Sequence, residues 1–187
     1  AEVGAVAALS LVPITFGAHR ALIAALATDL EREFDLAVRV RPPWFEPERS
    51  YDPSRGQYAS TLLLADLLTE PAASAAPTAD RVLGVTSVDL FIPVLTYVFG
   101  EAQLDGRAAI VSTHRLRSEA YGLAPDEDRL RERLTKEAIH ELGHTYGLVH
   151  CHDPECVMRA STYVEEIDIK SAEFCMACRA LVESRAR

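Results

Sequence analysis

Apolar positions along the 187-residue chain change period several times, and each change marks an element. Ala8 to Val12 is an apolar run with the character of a buried strand, and Ala18 to Phe34 repeats Leu22, Ile23, Leu26 and Leu30 at helical spacing. Ala37 to Val40 alternates and is valine-rich, and Pro42 and Pro43 close it. This start predicts a β-α-β unit, which normally means a parallel pair with a right-handed crossover. Residues 42–56 predict loop, Tyr58 to Leu68 a second helix, Pro71 to Asp80 a mobile surface loop, and Val82 to Thr86 a third strand. Leu95 to Ala102 predicts an aromatic-bearing strand that returns through an Asp105-Gly106 hairpin into Ala108 to Ser112. Pro125 and the acidic residues Asp126, Glu127 and Asp128 open a long helix through Leu130, Leu134, Ala138 and Leu142. A last helix is predicted from Asp168 to Glu183, and there is no internal repeat.

The long helix carries the chemistry. His140 to His150 reads HExxHxxGxxH. A helix turns once in about 3.6 residues, so His140 and His144 share one face and their imidazoles can converge on one ion. Gly147 tolerates the left-handed conformation that a sharp helix exit needs, and the chain can then turn back to deliver His150. Three nitrogen ligands with a fourth position open to water is the layout of a catalytic zinc. Glu141 lies about 100° round the helix from His140 and cannot share the metal face, but it can reach a water there as a general base. His152, two residues past His150 and next to Cys151, is an alternative ligand for either site.

Composition narrows the setting. The length suits one domain in two lobes, here 1–147 and 148–187. A net charge of -9, with no basic run, argues against a nucleic-acid partner. No stretch is long and apolar enough to span a membrane, and the apolar run from Val3 to Val12 reads as a strand rather than a targeting segment. All four cysteines fall between 151 and 178, as Cys151-x4-Cys156 and Cys175-x2-Cys178. Local clustering of this kind favours a closed, structural zinc site over disulfides or buried thiols, and zinc-suited thiols favour the cytoplasm. The expected cofactor is therefore zinc, two per chain, with no nucleic acid and no membrane as partners.

HExxHxxGxxH followed by Met158 resembles the metzincin clan of zinc peptidases. The longer pattern HExxHxxGxxHC-x4-C-x-M, then sixteen residues, then C-x2-C over 140–178 is similar to the archaemetzincin family. Phe99-Gly100-Glu101-Ala102, the strand from Arg107 to Ser112, Leu11-Val12-Pro13 and Arg55-Gly56-Gln57-Tyr58 also resemble that family, while the gap from Met158 to Cys175 is one residue short of its pattern. The resemblance implies a catalytic zinc on His140, His144 and His150, Glu141 as base, Met158 in a turn beneath the histidines, and a structural zinc on Cys151, Cys156, Cys175 and Cys178. It implies a mixed α/β, metzincin-like fold. Its sheet is twisted and mostly parallel with an antiparallel edge strand, backed by helices and joined to a small zinc-stapled C-terminal lobe. The strand from Tyr97 to Ala102 would then be a cleft edge to which a peptide adds by main-chain hydrogen bonds.

The function expected is zinc-dependent hydrolysis of peptide bonds, with aminopeptidase activity implied by some family members and the oligomeric state unknown. An exopeptidase needs an acidic group for the free amino end, for which Glu101 is the candidate. Tyr163, His114 and Arg115 are weaker cleft candidates. The competing readings are a latent or inactive zinc-containing peptide-binding protein and a hydrolase of some other amide.

Overall fold

Seven strand residues at the start of the described chain are almost wholly buried because they form the middle of a sheet. β1 (Ala8–Ile14) pairs in parallel with β2 (Ala37–Val40) on one side and with β5 (Arg81–Thr86) on the other. The computed structural model describes residues 8–17, 19–71 and 81–186. The first part of the Val3–Val12 run, Ala18 at the expected helix start and most of the Pro71–Asp80 loop lie outside them. α1 (Arg20–Phe34) connects β1 to β2, buries Leu22, Ile23, Leu26 and Leu30, and stops at Asp35 in the left-handed region.

Beyond β2 the chain departs from its apolar pattern. The expected loop contains a 3-10 turn, Pro47–Ser50, and β3 (Tyr51–Asp52). The helix expected from Tyr58 begins later, as α2 (Ser60–Leu67), because Gln57–Ala59 is extended as β4 between β3 and β6 (Leu90–Phe91). The Tyr58 N–H donates to Asp89 O at 2.9 Å, a pairing with sequence-distant chain that local periodicity does not encode.

The main sheet runs β2-β1-β5-β8-β7, where β8 (Ala108–Ser112) is parallel to β5 and β7 (Gly100–Ala102) is antiparallel to β8 at the edge. This is the mixed sheet with an antiparallel edge that the resemblance implies. The predicted strand from Leu95 is shorter than expected, and only Gly100–Ala102 joins the ladder. Pro93 precedes the run, Leu95 N–H turns back to Ile92 O at 3.1 Å, and Arg55 and Gln57 occupy the carbonyls of Leu95 and Thr96. The hairpin forms where Asp105-Gly106 signals it, with Asp105 at φ 54° and Gln103 N–H donating to Ala108 O.

Alternation along β1 covers both faces of the sheet. Leu9 and Leu11 face α1 and the long helix α3 (Glu127–Thr145), whereas Val12 and Ile14 join Leu63 and Leu67 of α2. α3 starts at Asp126, whose carboxylate accepts from Arg129 N–H at 2.9 Å, as the acidic cap predicts. The single last helix expected over Asp168–Glu183 is two: α4 (Val164–Ile169) and α5 (Met176–Arg185). Residues between them are drawn off by other backbone, since Ser171 N–H donates to Glu155 O and Val157 N–H to Glu173 O, both at 2.9 Å.

α3 and α4 are joined by charged groups sunk into the core. Arg133 forks onto Asp168 with two 2.7 Å bonds, and Lys136 Nζ donates to Ile167 O at 3.1 Å. Lys170 is fully buried; its Nζ donates to Arg159 O at 3.1 Å and lies 2.9 Å from Glu137 Oε1. The second contact is an ion pair off the hydrogen-bond line, so Glu137 Oε1 has no hydrogen-bond donor. Removing one member of a buried pair strands the other charge. Lys170→Met should therefore lower unfolding free energy by about 3–5 kcal/mol. Lys170→Met with Glu137→Leu should recover most of that loss, as measured by urea denaturation of both variants.

Candidate active site

α3 ends as its glycine predicts. Gly147 has φ +84°, its N–H donates to His144 O at 2.9 Å, and Leu148 N–H reaches Gly143 O at 3.2 Å. This pair of reversed bonds closes the helix and sends the chain back towards His140. The ligand atoms of His140, His144 and His150 consequently lie within 4.8 Å of one another.

Both helix histidines have their tautomer set by backbone. The Nδ1–H of His140 donates to Val157 O at 2.8 Å, and that of His144 to Leu148 O at 2.7 Å. Each therefore directs an unprotonated Nε2 inward, and the two Nε2 atoms stand 3.2 Å apart. Tetrahedral ligands at Zn–N distances of about 2.0–2.1 Å would be separated by about 3.3 Å, so the nitrogens fit one zinc. Burial lowers the pKa of all three imidazoles, most strongly at His140, which keeps them neutral and able to ligate.

Glu141 is buried beside them. Desolvation first, then the Glu137 carboxylate, push its pKa well above the usual carboxylate range, against a smaller opposing effect from Lys170. It has room only because β7 presents a glycine. A Cβ on Gly100 would stand 2.7 Å from Glu141 Cγ and 2.6 Å from Ile110 O. Gly143, inside the histidine motif, plays a matching part on the other side, where a Cβ would stand 2.4 Å from Met158 Sδ. Met158 is thus wholly buried under α3, as the resemblance implies. The motif's spacing pointed to Gly147 alone, and neither contact can be read without the fold.

The four cysteines are free and form a second group, with sulfurs within 4.8 Å of one another and Cys151 Sγ 3.9 Å from Cys175 Sγ. Four thiolates on zinc at about 2.3 Å would stand about 3.8 Å apart, so this donor set also fits the metal. Burial pushes the Cys156 and Cys178 thiols up, while the Cys178 backbone N–H draws Cys175 down. Cys151 N–H donates to Met158 O at 3.0 Å, so the thiol group and the turn beneath the histidines share backbone. His152 is exposed and belongs to neither group.

The histidines open into a cleft of about 740 Å³ between the β7 edge and the segment from Ala160 to Tyr163. Glu101 sits on that edge, but its carboxylate accepts from Ser60 Oγ and from Thr61 Oγ1 at 2.9 Å, at the start of α2. Strand alternation turns it away from Glu141, so it is an anchor for the edge rather than a free acid. Tyr163 lines the cleft and is exposed; His114 is exposed outside it; Arg115 pairs with Asp89 and covers the ring of Tyr97 at 4.3 Å.

Known proteins resemble this chain in sequence and in fold. Residues 64–184 match the model for peptidase family M54. Archaemetzincin of Methanocaldococcus jannaschii is 45% identical over 139 residues, which is 74% of this chain and 73% of that protein. The crystal structure of archaemetzincin from Methanopyrus kandleri superimposes with a TM-score of 0.83 at 36% identity, covering 98% of this chain and 97% of that one. A zinc-dependent peptidase from Methanocorpusculum labreanum does so with a TM-score of 0.80 at 28% identity, covering 93% and 99%.

Gly100→Ala should cost about 1–3 kcal/mol by overpacking against Glu141 and the β8 carbonyl, because backbone on one side cannot yield. Its urea midpoint should fall accordingly, whereas an unchanged midpoint would mean the edge strand is not held against α3 as described.

Proposed function

The chain belongs to peptidase family M54 and is a zinc metallopeptidase, and from that premise we propose that it cleaves peptide bonds with Glu141 as general base. His140, His144 and His150 hold the catalytic zinc in this reading, and Cys151, Cys156, Cys175 and Cys178 hold a second, structural one. The observation that carries it is the convergence of three neutral imidazoles beside a buried carboxylate in one cleft. Zinc supplies Lewis acidity there, acidifying a water and polarising the scissile carbonyl.

The protein's own groups do the rest. Val157 O and Leu148 O hold the ring tautomers, so the inward nitrogens stay free of protons. Glu141, made more basic by burial, takes a proton from the attacking water and delivers it to the leaving amine. The outer edge of β7 offers main-chain groups to an extended substrate. Met158 beneath Gly143 and the cysteine group behind it keep the His150 segment in place.

Aminopeptidase action is the finer reading. It rests on the family resemblance and on a cleft lined by Glu137 and Glu141 with no lysine or arginine among the described residues; Glu101, held by Ser60 and Thr61, takes no part in it. Free thiols suited to zinc favour a reducing compartment, so we place the protein in the cytoplasm.

Zinc content per chain and peptide turnover test the scheme together. Wild type should carry two zinc ions and His150→Ala one; a single zinc in wild type would refute the two-site assignment. Glu141→Gln should keep its zinc and lose at least a hundredfold in kcat, a size in keeping with general-base loss; turnover at the wild-type rate would remove Glu141 as base.

A further inference from the structure

Tyr97 joins the two banks of the cleft. It stands on the upper bank, before β7, and its hydroxyl donates to Thr162 O on the lower bank at 3.0 Å. Two groups pack on its ring, the Arg115 guanidinium 4.3 Å from its centre and Phe99 edge-on at 5.5 Å. Arg115 is itself forked onto Asp89, with bonds of 2.9 and 2.7 Å. The backbone beside Tyr97 is clamped as well. Arg55 Nη2 donates to Leu95 O and Thr96 O, and Gln57 Nε2 bridges Thr96 O and Asp89 Oδ2. The Arg55 to Tyr58 run, which the catalytic scheme leaves unused, therefore serves to hold this segment.

The bridge stands at one end of the cleft. Gly100 lies against Glu141, and Asp105 N–H donates to His144 O at 2.9 Å, so the chain from 100 to 105 runs towards the C-terminal end of α3. Tyr97 lies the other way, at the Glu137 end, while the opposite end is flanked by exposed Leu104 and Val149. A peptide adding to β7 in the more stable antiparallel sense would point its carboxyl end at Tyr97. From Gly100 to Tyr97 is three residues, at most about 10 Å at ~3.4 Å each, enough for about two or three substrate residues.

We propose that the Tyr97–Thr162 bridge is an end wall that makes Tyr97 a specificity-determining residue, restricting this peptidase to substrates with only a short stretch on the carboxyl side of the scissile bond. The inference rests on the metallopeptidase reading above and names its substrate class as short peptides. A wall that has to resist an incoming chain needs bracing, and the ring of Tyr97 and its flanking carbonyls are held by three polar side chains from elsewhere in the sequence. Tyr97→Phe removes only the hydroxyl bridge, and Tyr97→Ala removes the wall.

The test uses binding as well as turnover. Zinc-loaded Glu141→Gln protein is titrated calorimetrically with peptides lengthened one residue at a time from either end, with and without Tyr97→Ala. Affinity should fall at least tenfold once the carboxyl side exceeds two or three residues, and Tyr97→Ala should abolish that fall, with Tyr97→Phe between. Extension at the amino end should behave alike in all backgrounds. On the Glu141-intact protein, mass-spectrometric mapping should show cleavage of short peptides only, with cuts in longer peptides gained in Tyr97→Ala. Length-independent binding, a fall at the amino end alone, or the same length limit in Tyr97→Ala would overturn the wall. Length-limited binding without cleavage of any peptide would uphold the wall and refute the peptidase reading instead.

Discussion

Everything at the site depends on how α3 seats on the turn from Cys156 to Met158. Val157 O takes the His140 Nδ1–H, Met158 fills the hollow that Gly143 leaves, and Cys156 enters the thiol group. Three successive residues thus set an imidazole tautomer, a packing surface and one member of the thiol group. The same turn accepts the Cys151 N–H at Met158 O, one residue after His150. The third imidazole is therefore held by a short loop with both ends tied. A shift of this turn would move the His140 ring, the His150 ring and the cysteine group together.

Charge is buried around that contact in an ordered way. Lys170, Glu137, Arg133 and Lys136 are nearly free of solvent, and each has a contact that links α3 to the segment from Arg159 to Lys170. Buried pairs of this kind add little net stability, because desolvation offsets their attraction. They tie α3 to the segment from Arg159 to Lys170 through named polar contacts. Glu137 has a further electrostatic consequence, since its carboxylate raises the pKa of neighbouring Glu141 beyond what burial does alone. The upper bank of the cleft follows a parallel logic, with Arg55, Gln57 and Arg115 holding a stretch of chain that forms no ladder.

Much of this was legible before any coordinates. The β1-α1-β2 unit and the hairpin at Asp105-Gly106 follow local patterns, and the structure has them at nearly the expected positions. The three histidines and the four cysteines gather in the two groups their spacing suggests because the α3 exit and the cysteine spacings are local too. The errors fell where distant chain competes for backbone groups. Tyr58 opens no helix because Asp89 O takes its N–H, Leu95 to Val98 leaves the ladder because Arg55 and Gln57 occupy its carbonyls, and one C-terminal helix became two because Glu155 and Val157 pair with residues 171–173. Glu101 was misjudged for a related reason: an acid on the cleft edge looks available until Ser60 and Thr61 are seen to hold it.

By itself the sequence determined which histidines and which cysteines gather, since residue type and helical spacing limit which nitrogens and sulfurs can meet. It also determined the family, through cysteine and histidine spacings over one continuous stretch. Tertiary structure alone decided the surroundings of those atoms: which carbonyl sets each imidazole, which glycine makes room for Glu141, which acid is free and where the cleft ends. The division is physical. Ligand convergence here needs one helix and its exit turn, whereas burial, orientation and a closed cleft end need segments far apart in the chain brought within a few ångströms.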